Sequence, residues 1–257
     1  MNAELTAKES GILANYRFVV SEPDKEVQIE FKPFMDESMM GAYLDRFNEG
    51  LKAPDAKTAA SVFMKRHAFL AVLYLYSMTA FNKKLDVSPE NIILADAIKD
   101  GLWLPEFYLK SKIADVCPDE EREVWRMEAV RHLFVDNLFP VMDAISKSAK
   151  ISKLVLWENV AVYIFWLYEK ILNESGDPDV RVKAAEDFAF LVESAPGRLF
   201  GRYHKNPIAR YYTKPIYQEV TDSYIRVRET CCYSYRLKGK GDFCKTCPRT
   251  CGGGKKE

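Results

Sequence analysis

The chain has 257 residues, 48% of them hydrophobic and 29% charged, with 37 Lys and Arg against 37 Asp and Glu. This composition excludes a disordered or fibrous chain and can supply one large buried core or two small ones. The charge is unevenly placed: residues 201–257 carry 13 Lys and Arg against 5 Asp and Glu, while the first 200 carry 24 against 32, so the C-terminal segment is expected to face something anionic.

The start, "MNAELTAKESG", is polar and has neither the basic opening nor the apolar run of a secretory signal. Residues 16–33 read as a small β-hairpin: "YRFVV" and "EVQIEF" are rich in β-branched and aromatic residues, and "SEPDK" supplies the turn. Past Pro33 the pattern turns helical and mostly stays so. Residues 68–81, "AFLAVLYLYSMTAF", are the longest nearly unbroken apolar stretch. They fall short of the roughly 18 residues of a membrane span, so they are expected to form a core helix. "SPEN" places Ser88 as an N-cap with Pro89 in the first helical position, and "DPDV" repeats the arrangement at Asp177 and Pro178.

"PDEEREVWRMEAVRHLFVDNLF" opens on acids that favour a helix N-terminus and spaces Val124, Met127, Val130 and Phe134 along one side. Pro140 is expected to end or kink that helix. Residues 154–172, "LVLWENVAVYIFWLYEKIL", are apolar on nearly every face. Interior charges and Asn159 argue against a membrane span, so this is expected to be the central helix of a bundle, with Trp157 and Trp166 in the core. No fixed-period repeat is present. After Pro196 the sequence turns to Arg, Tyr and Pro, as in a linker or docking surface, and it ends in the low-complexity tail "GGGKKE".

With no span and no signal the chain is expected to be cytoplasmic, where thiols stay reduced. Yet five of its six cysteines fall between Cys231 and Cys251. A metal or redox centre explains that crowding better than disulfides do. Four thiolates suit either a structural zinc or an iron–sulfur cluster. Cys244 and Cys247 form a C-x2-C pair that converges around a tight turn. Cys231 and Cys232 are adjacent, and adjacent side chains on a strand point to opposite faces. Both can serve one centre only if the backbone bends there. Zinc ligands are normally two to four residues apart, which a vicinal pair does not match, whereas two iron atoms offer two sites. "YSYRLKGKGDF" between the pairs reads as a hairpin with a Gly-Lys-Gly turn.

"RETCCYSYRLKGKGDFCKTCP" resembles the C-terminal signature of FhuF-type ferric-siderophore reductases: two adjacent cysteines, about ten residues, then C-x2-C. "LWENVA", residues 156–161, is also family-like. The resemblance implies a [2Fe-2S] cluster held by Cys231, Cys232, Cys244 and Cys247. The spacer here is eleven residues, one longer than the commonest form, and the extra residue is expected in the turn at 239–241. The implied fold is mainly α: a bundle-like body with an N-terminal β-hairpin (residues 1–33), a substrate-binding helical part (34–222) and a C-terminal iron–sulfur hairpin module (223–257).

The implied activity is one-electron reduction of a ferric siderophore or other ferric chelate. Fe(II) is softer and less charged than Fe(III), so hard anionic oxygen ligands hold it far less tightly. Arg228, Arg236, Lys238, Lys240, Lys245 and Arg249 surround the cysteines and are expected to raise a cluster's potential. Arg202, Lys205, Arg210 and Arg236 are the expected contacts to the chelate. No G-x-G-x-x-G or Walker loop occurs among the twelve glycines, so electrons are expected from outside, from a ferredoxin-like protein or a reduced flavin.

The alternatives are a zinc-stabilised binding protein, in which Cys251 could replace one vicinal cysteine, and a one-electron carrier for another acceptor. The tyrosines of the basic segment could stack on bases, but no nucleic-acid module is recognisable and no nucleic-acid partner is expected. His67, His132 and His204 are too scattered for a metal site. Cys117 is expected to pack as a small apolar residue.

Overall fold

The computed structural model describes residues 2–99, 102–118, 120–219, 222–237 and 243–251. The chain is mainly α. Helix α1 (Ala7–Ala14) starts at Thr6, whose hydroxyl accepts the Glu9 amide while the Glu9 carboxylate accepts the Thr6 amide. Asp36 caps α2 (Glu37–Leu51), and Asp55 caps α3 (Ala56–Phe81) by accepting the Thr58 amide. α3 stops at Asn82, which takes the left-handed conformation at φ 52°. Further on come α4 (Arg122–Leu133), α5 (Phe139–Ser148), α6 (Lys153–Trp166), α7 (Pro178–Ala189) and the single turn α8 (Pro248–Cys251). Asp177 caps α7 and Pro178 takes its first turn, as the sequence predicts. α3 and α6 form the central pair, and the expected core helix at 68–81 lies within α3.

Pro140 does not end its helix. A π turn, Phe134–Leu138, joins α4 to α5, and the Phe139 amide bonds the Phe134 carbonyl. The ladder is already widened where proline cannot donate. Two more helices run into π turns, α6 into Leu167–Leu172 and α7 into Phe190–Ser194. The buried face of α4 is Trp125, Ala129, Val130 and Leu133, continued by Phe134, while Val124 is exposed. The expected stripe is thus turned by about one residue around the helix.

The strands correct two expectations. They are β1 (Asn2–Glu4), β2 (Gln28–Glu30), β3 (Lys83–Leu85), β4 (Ile92–Ala95), β5 (Ile98–Lys99), β6 (Leu102–Trp103), β7 (Glu106–Leu109), β8 (Ile113–Val116), β9 (Ile216–Gln218) and β10 (Ser223–Ile225). They pair antiparallel in the orders β1-β8-β3, β2-β4-β7, β5-β6 and β9-β10. Residues 83–99 and 102–116 therefore carry β3 to β8 and no α-helix, and Ser88 opens only a 3-10 turn, Pro89–Asn91. Strands of two to four residues are too short to show the alternation that marks a strand in sequence.

The hairpin expected at 16–33 does not form either. Ile29 pairs with Leu94 on β4, and Phe18 bridges Phe107 on β7. On those strands Phe18, Ile29 and Phe31 join the same core as the helices.

The stretch after Pro196 is no linker. Phe200, Ile208 and Tyr211 are buried in the core. Gly201, at φ 118°, lies where a Cβ would come within 2.5 Å of the Phe139 ring. In the cysteine segment, Ser234–Arg236 is one 3-10 turn rather than a strand. The expected Gly-Lys-Gly turn lies outside the described residues.

Candidate metal centre and adjoining cleft

Past its first residue, Lys153, α6 carries only two charged or amide side chains, Glu158 and Asn159, both buried. Buried polar groups are costly unless hydrogen-bonded, and these two are fully engaged by the segment leading into the cysteines. Glu158 Oε1 accepts the Glu229 amide at 2.6 Å, and Oε2 accepts the Thr230 amide at 2.8 Å and the Thr230 hydroxyl. The buried Arg228 guanidinium lies 3.4 Å from Glu158 Oε2 and donates to Asn159 Oδ1 at 2.7 Å. Asn159 Nδ2 donates to Ser61 on α3, whose hydroxyl donates to the Cys232 carbonyl at 2.8 Å. The family-like "LWENVA" is thus the anchor of the cysteine segment. In sequence, Asn159 appeared only as an argument against a membrane span.

The two cysteine pairs are joined by the backbone. The Arg228 amide donates to the Thr246 carbonyl at 2.9 Å, and the Cys247 amide closes the C-x2-C turn on the Cys244 carbonyl at 3.0 Å. The Cys232 and Cys244 sulfurs are 4.0 Å apart. Cys232 and Cys247 are buried, while Cys231, Cys244 and Cys251 are half-buried. The bend that a vicinal pair requires is present: Tyr233 sits at φ 57°, left-handed, and leads into the 3-10 turn.

Lys65 of α3 reaches this point. Its Nζ is 3.9 Å from Cys232 Sγ and 3.0 Å from Ser234 Oγ, and it meets no carboxylate among the described residues. The hydrogen bond with Cys244, the Lys65 charge and Ser234 pull the Cys232 thiol well below the usual range, against burial. Cys244 is pushed up by the same hydrogen bond, by burial and by the charges of Cys232 and Cys247.

Among the described residues no three His, Cys, Asp or Glu side chains gather as one metal ion would require. A two-iron cluster asks for pairs instead. Tetrahedral sulfurs at metal–sulfur bonds of about 2.3 Å lie about 3.8 Å apart, close to the 4.0 Å between Cys232 and Cys244. The soft thiol donors, their pairing and the cation beside them fit that group.

Of the basic residues expected to contact a chelate, Arg210 pairs with Glu229 at 3.0 Å and Arg236 with Asp55 at 2.8 Å. Arg202 and Lys205 are exposed. None of the four lines the cleft of about 680 Å³ that runs between α6, α7 and residues 211–215 and 224–228. Phe165, Phe188, Tyr212, Arg226 and Glu169 line it, and Thr246, inside the C-x2-C turn, opens it toward the cysteines. Both carboxylate oxygens of Glu169 hold Arg226, at 2.8 and 2.9 Å, and its guanidinium lies 4.3 Å from the centre of the Tyr212 ring.

The π turns after α6 and α7 contribute Glu169, Lys170, Val192 and Glu193 to this cleft. Sequence reading missed it because its aromatic residues look like core. Trp166, expected in the core, is in fact exposed on the cleft's rim, whereas Trp157 is buried. His67 is buried, His132 half-buried and His204 exposed. No helix among the described residues is long and apolar enough to cross a membrane.

No curated protein matches this chain. Among solved structures, the aerobactin synthetase IucC from a hypervirulent pathotype of Klebsiella pneumoniae is 16% identical, with a TM-score of 0.46. The match covers 74% of this chain and 37% of that one, so the chain spans well under half of its length. Residues 61–215, from Ser61 of the anchor through Glu158 and Asn159, match the family model described as ferric iron reductase FhuF-like transporter. The chain belongs to this FhuF-like family.

Proposed function

We propose that this protein reduces ferric iron held by a siderophore, delivering one electron in the cytoplasm so that iron leaves as Fe(II). One electron supplied by a ferredoxin-like protein or a reduced flavin converts Fe(III) to Fe(II), and the anionic oxygen ligands then hold the iron far less tightly. Cys231, Cys232, Cys244 and Cys247 would hold a [2Fe-2S] cluster. When bound, that group supplies single-electron transfer at a potential set by the charges and hydrogen bonds around its sulfurs.

The protein's own residues do the rest. Glu158 and Asn159 hold the cysteine segment against α6. Lys65 offsets negative charge at Cys232. The cleft beside Thr246 accepts the chelate, with Tyr212 and Phe165 offering ring faces and Arg226 a cation fixed by Glu169. Arg202, Lys205, Arg210 and Arg236 would guide an anionic chelate from the surface, Arg210 and Arg236 after exchanging their carboxylate partners.

The observation that carries this reading is the Cys232–Cys244 pair, 4.0 Å apart, with Lys65 at 3.9 Å and no carboxylate beside it among the described residues. A half-buried ammonium that meets sulfur and a hydroxyl there favours an anionic sulfur in the working state. The test is anaerobic purification with a visible spectrum and with iron, sulfide and zinc assays, followed by Fe(II) trapping with ferric siderophores. Red-brown protein with about two irons and two sulfides per chain that releases Fe(II) is expected. Colourless protein holding about one zinc would overturn it.

A further inference from the structure

A second group of cations, just past α1 and on α3, forms no ion pair among the described residues. Arg17 follows α1, and Arg66 lies on α3 next to Lys65. Arg17 Nη1 and Arg66 Nε are buried and make no hydrogen bond. Neither guanidinium forms an ion pair among the described residues. Glu106, whose charge reaches Arg17, is already bound by Lys99 at 2.5 Å. Burial and the Arg66 charge together pull the Arg17 guanidinium down to about 10, and burial lowers Arg66 as well.

The backbone is committed to this arrangement. Arg17 sits at φ 71°, an uncommon conformation for a residue with a side chain. It is held there by its own amide to Ala14 at 3.3 Å and by the Phe107 amide donating to its carbonyl at 2.7 Å. The Arg17 guanidinium lies 3.9 Å from the centre of the Phe69 ring, and Phe69 packs against Tyr163 at 5.0 Å. Trp166, on the rim of the cleft, lies 6.4 Å from Phe69.

Two like charges kept together in a half-buried place, on a strained backbone and without an ion-paired carboxylate among the described residues, are unfavourable for folding alone. Such arrangements persist where a ligand repays the cost. We infer that Arg17 and Arg66 form an oxyanion-binding subsite, which takes a carboxylate or phosphate group of a ligand lying across Phe69, Tyr163 and Trp166. Guanidinium forks match the planar pair of oxygens that such groups present. The site stands on the arginines; its use by a chelate or by a phosphorylated electron carrier rests on the reading above.

The test is calorimetric titration of the full chain, as purified and whatever its iron content, with citrate, ferric citrate and flavin mononucleotide in separate arms. Thermal melts accompany each titration. Binding to wild type is expected to weaken tenfold or more in Arg17→Met and Arg66→Met, and to fall with added salt. Without ligand both variants are expected to melt at or above the wild-type temperature, because an unpaired buried charge has been removed. Tight binding of ferric citrate points to the chelate as the source, and tight binding of flavin mononucleotide to the electron carrier.

Absence of binding to wild type in every arm overturns the subsite, as does unchanged affinity in both variants. A lower melting temperature in the variants assigns the arginines to structure alone. Should either Met variant fail to fold, Arg66→Lys keeps the charge but loses the fork, and its affinity must still fall. Colourless protein that binds normally would sink the cluster reading and leave the subsite standing.

Discussion

Replacing Glu158 with Gln tests whether the anchor under the cysteine segment holds it in place. The change preserves shape. It removes the charge opposite Arg228, 3.4 Å away, and turns one of the two oxygens that accept the Glu229 and Thr230 amides into a donor. Glu158 and Arg228 are both buried, and breaking such a pair from one side costs about 3–5 kcal/mol, because the other charge stays uncompensated. Native stabilities are roughly 5–15 kcal/mol, so the body is expected to remain folded while residues 228–232 lift off α6.

At about 1.4 kcal/mol per factor of ten, the open state becomes on the order of 100-fold or more commoner. The assay pairs urea unfolding, followed by far-ultraviolet circular dichroism, with the rate at which a thiol reagent labels Cys232 in metal-free protein. Faster labelling by about that factor is expected. A cycle with Arg228→Met should give a coupling of several kcal/mol. Labelling at the wild-type rate, with stability within about 0.5 kcal/mol of wild type, would refute the anchor.

Acid is expected to weaken the fold through His67. Burial holds its imidazole at about 4, its Nδ1 has no partner, and it is packed between Phe31 and Phe63. Because its folded value is depressed, the unfolded chain takes up the proton first. Stability therefore falls as pH drops from about 6.5 to about 4, by about 3 kcal/mol at most. Urea midpoints across that range should fall less steeply in His67→Leu; parallel curves would remove His67 from the account.

Lys65→Met deletes the cation beside Cys232, and the midpoint potential should drop. After solvent screening the effect is about 1–2 kcal/mol, on the order of 50–100 mV for one electron. An unchanged potential would contradict the role given to Lys65. Serine at Cys231, Cys232, Cys244 or Cys247 should each abolish the visible colour. Cys251→Ser should keep it, since that thiol bonds the Lys245 carbonyl of the C-x2-C turn; loss of iron on that change would reassign the ligand set.

Long apolar runs marked the two central helices, because stretches such as residues 68–81 and 154–172 have few ways to be buried other than as core helices. The reading of the cysteines as ligands rests on their spacing, since ligand type and separation are local properties of the chain. Tertiary structure decided whatever depends on partners distant in sequence. The strands of residues 83–116 are too short to carry a period and exist only through pairing with one another and with Asn2–Glu4 and Gln28–Glu30. Glu158 became an anchor, and Trp166 a cleft residue, only once the C-terminal segment lay across α6. Arg17 and Arg66 are ordinary basic residues until the fold brings them together with no ion pair among the described residues, because whether a charge is paired is settled by three-dimensional neighbours and not by sequence neighbours.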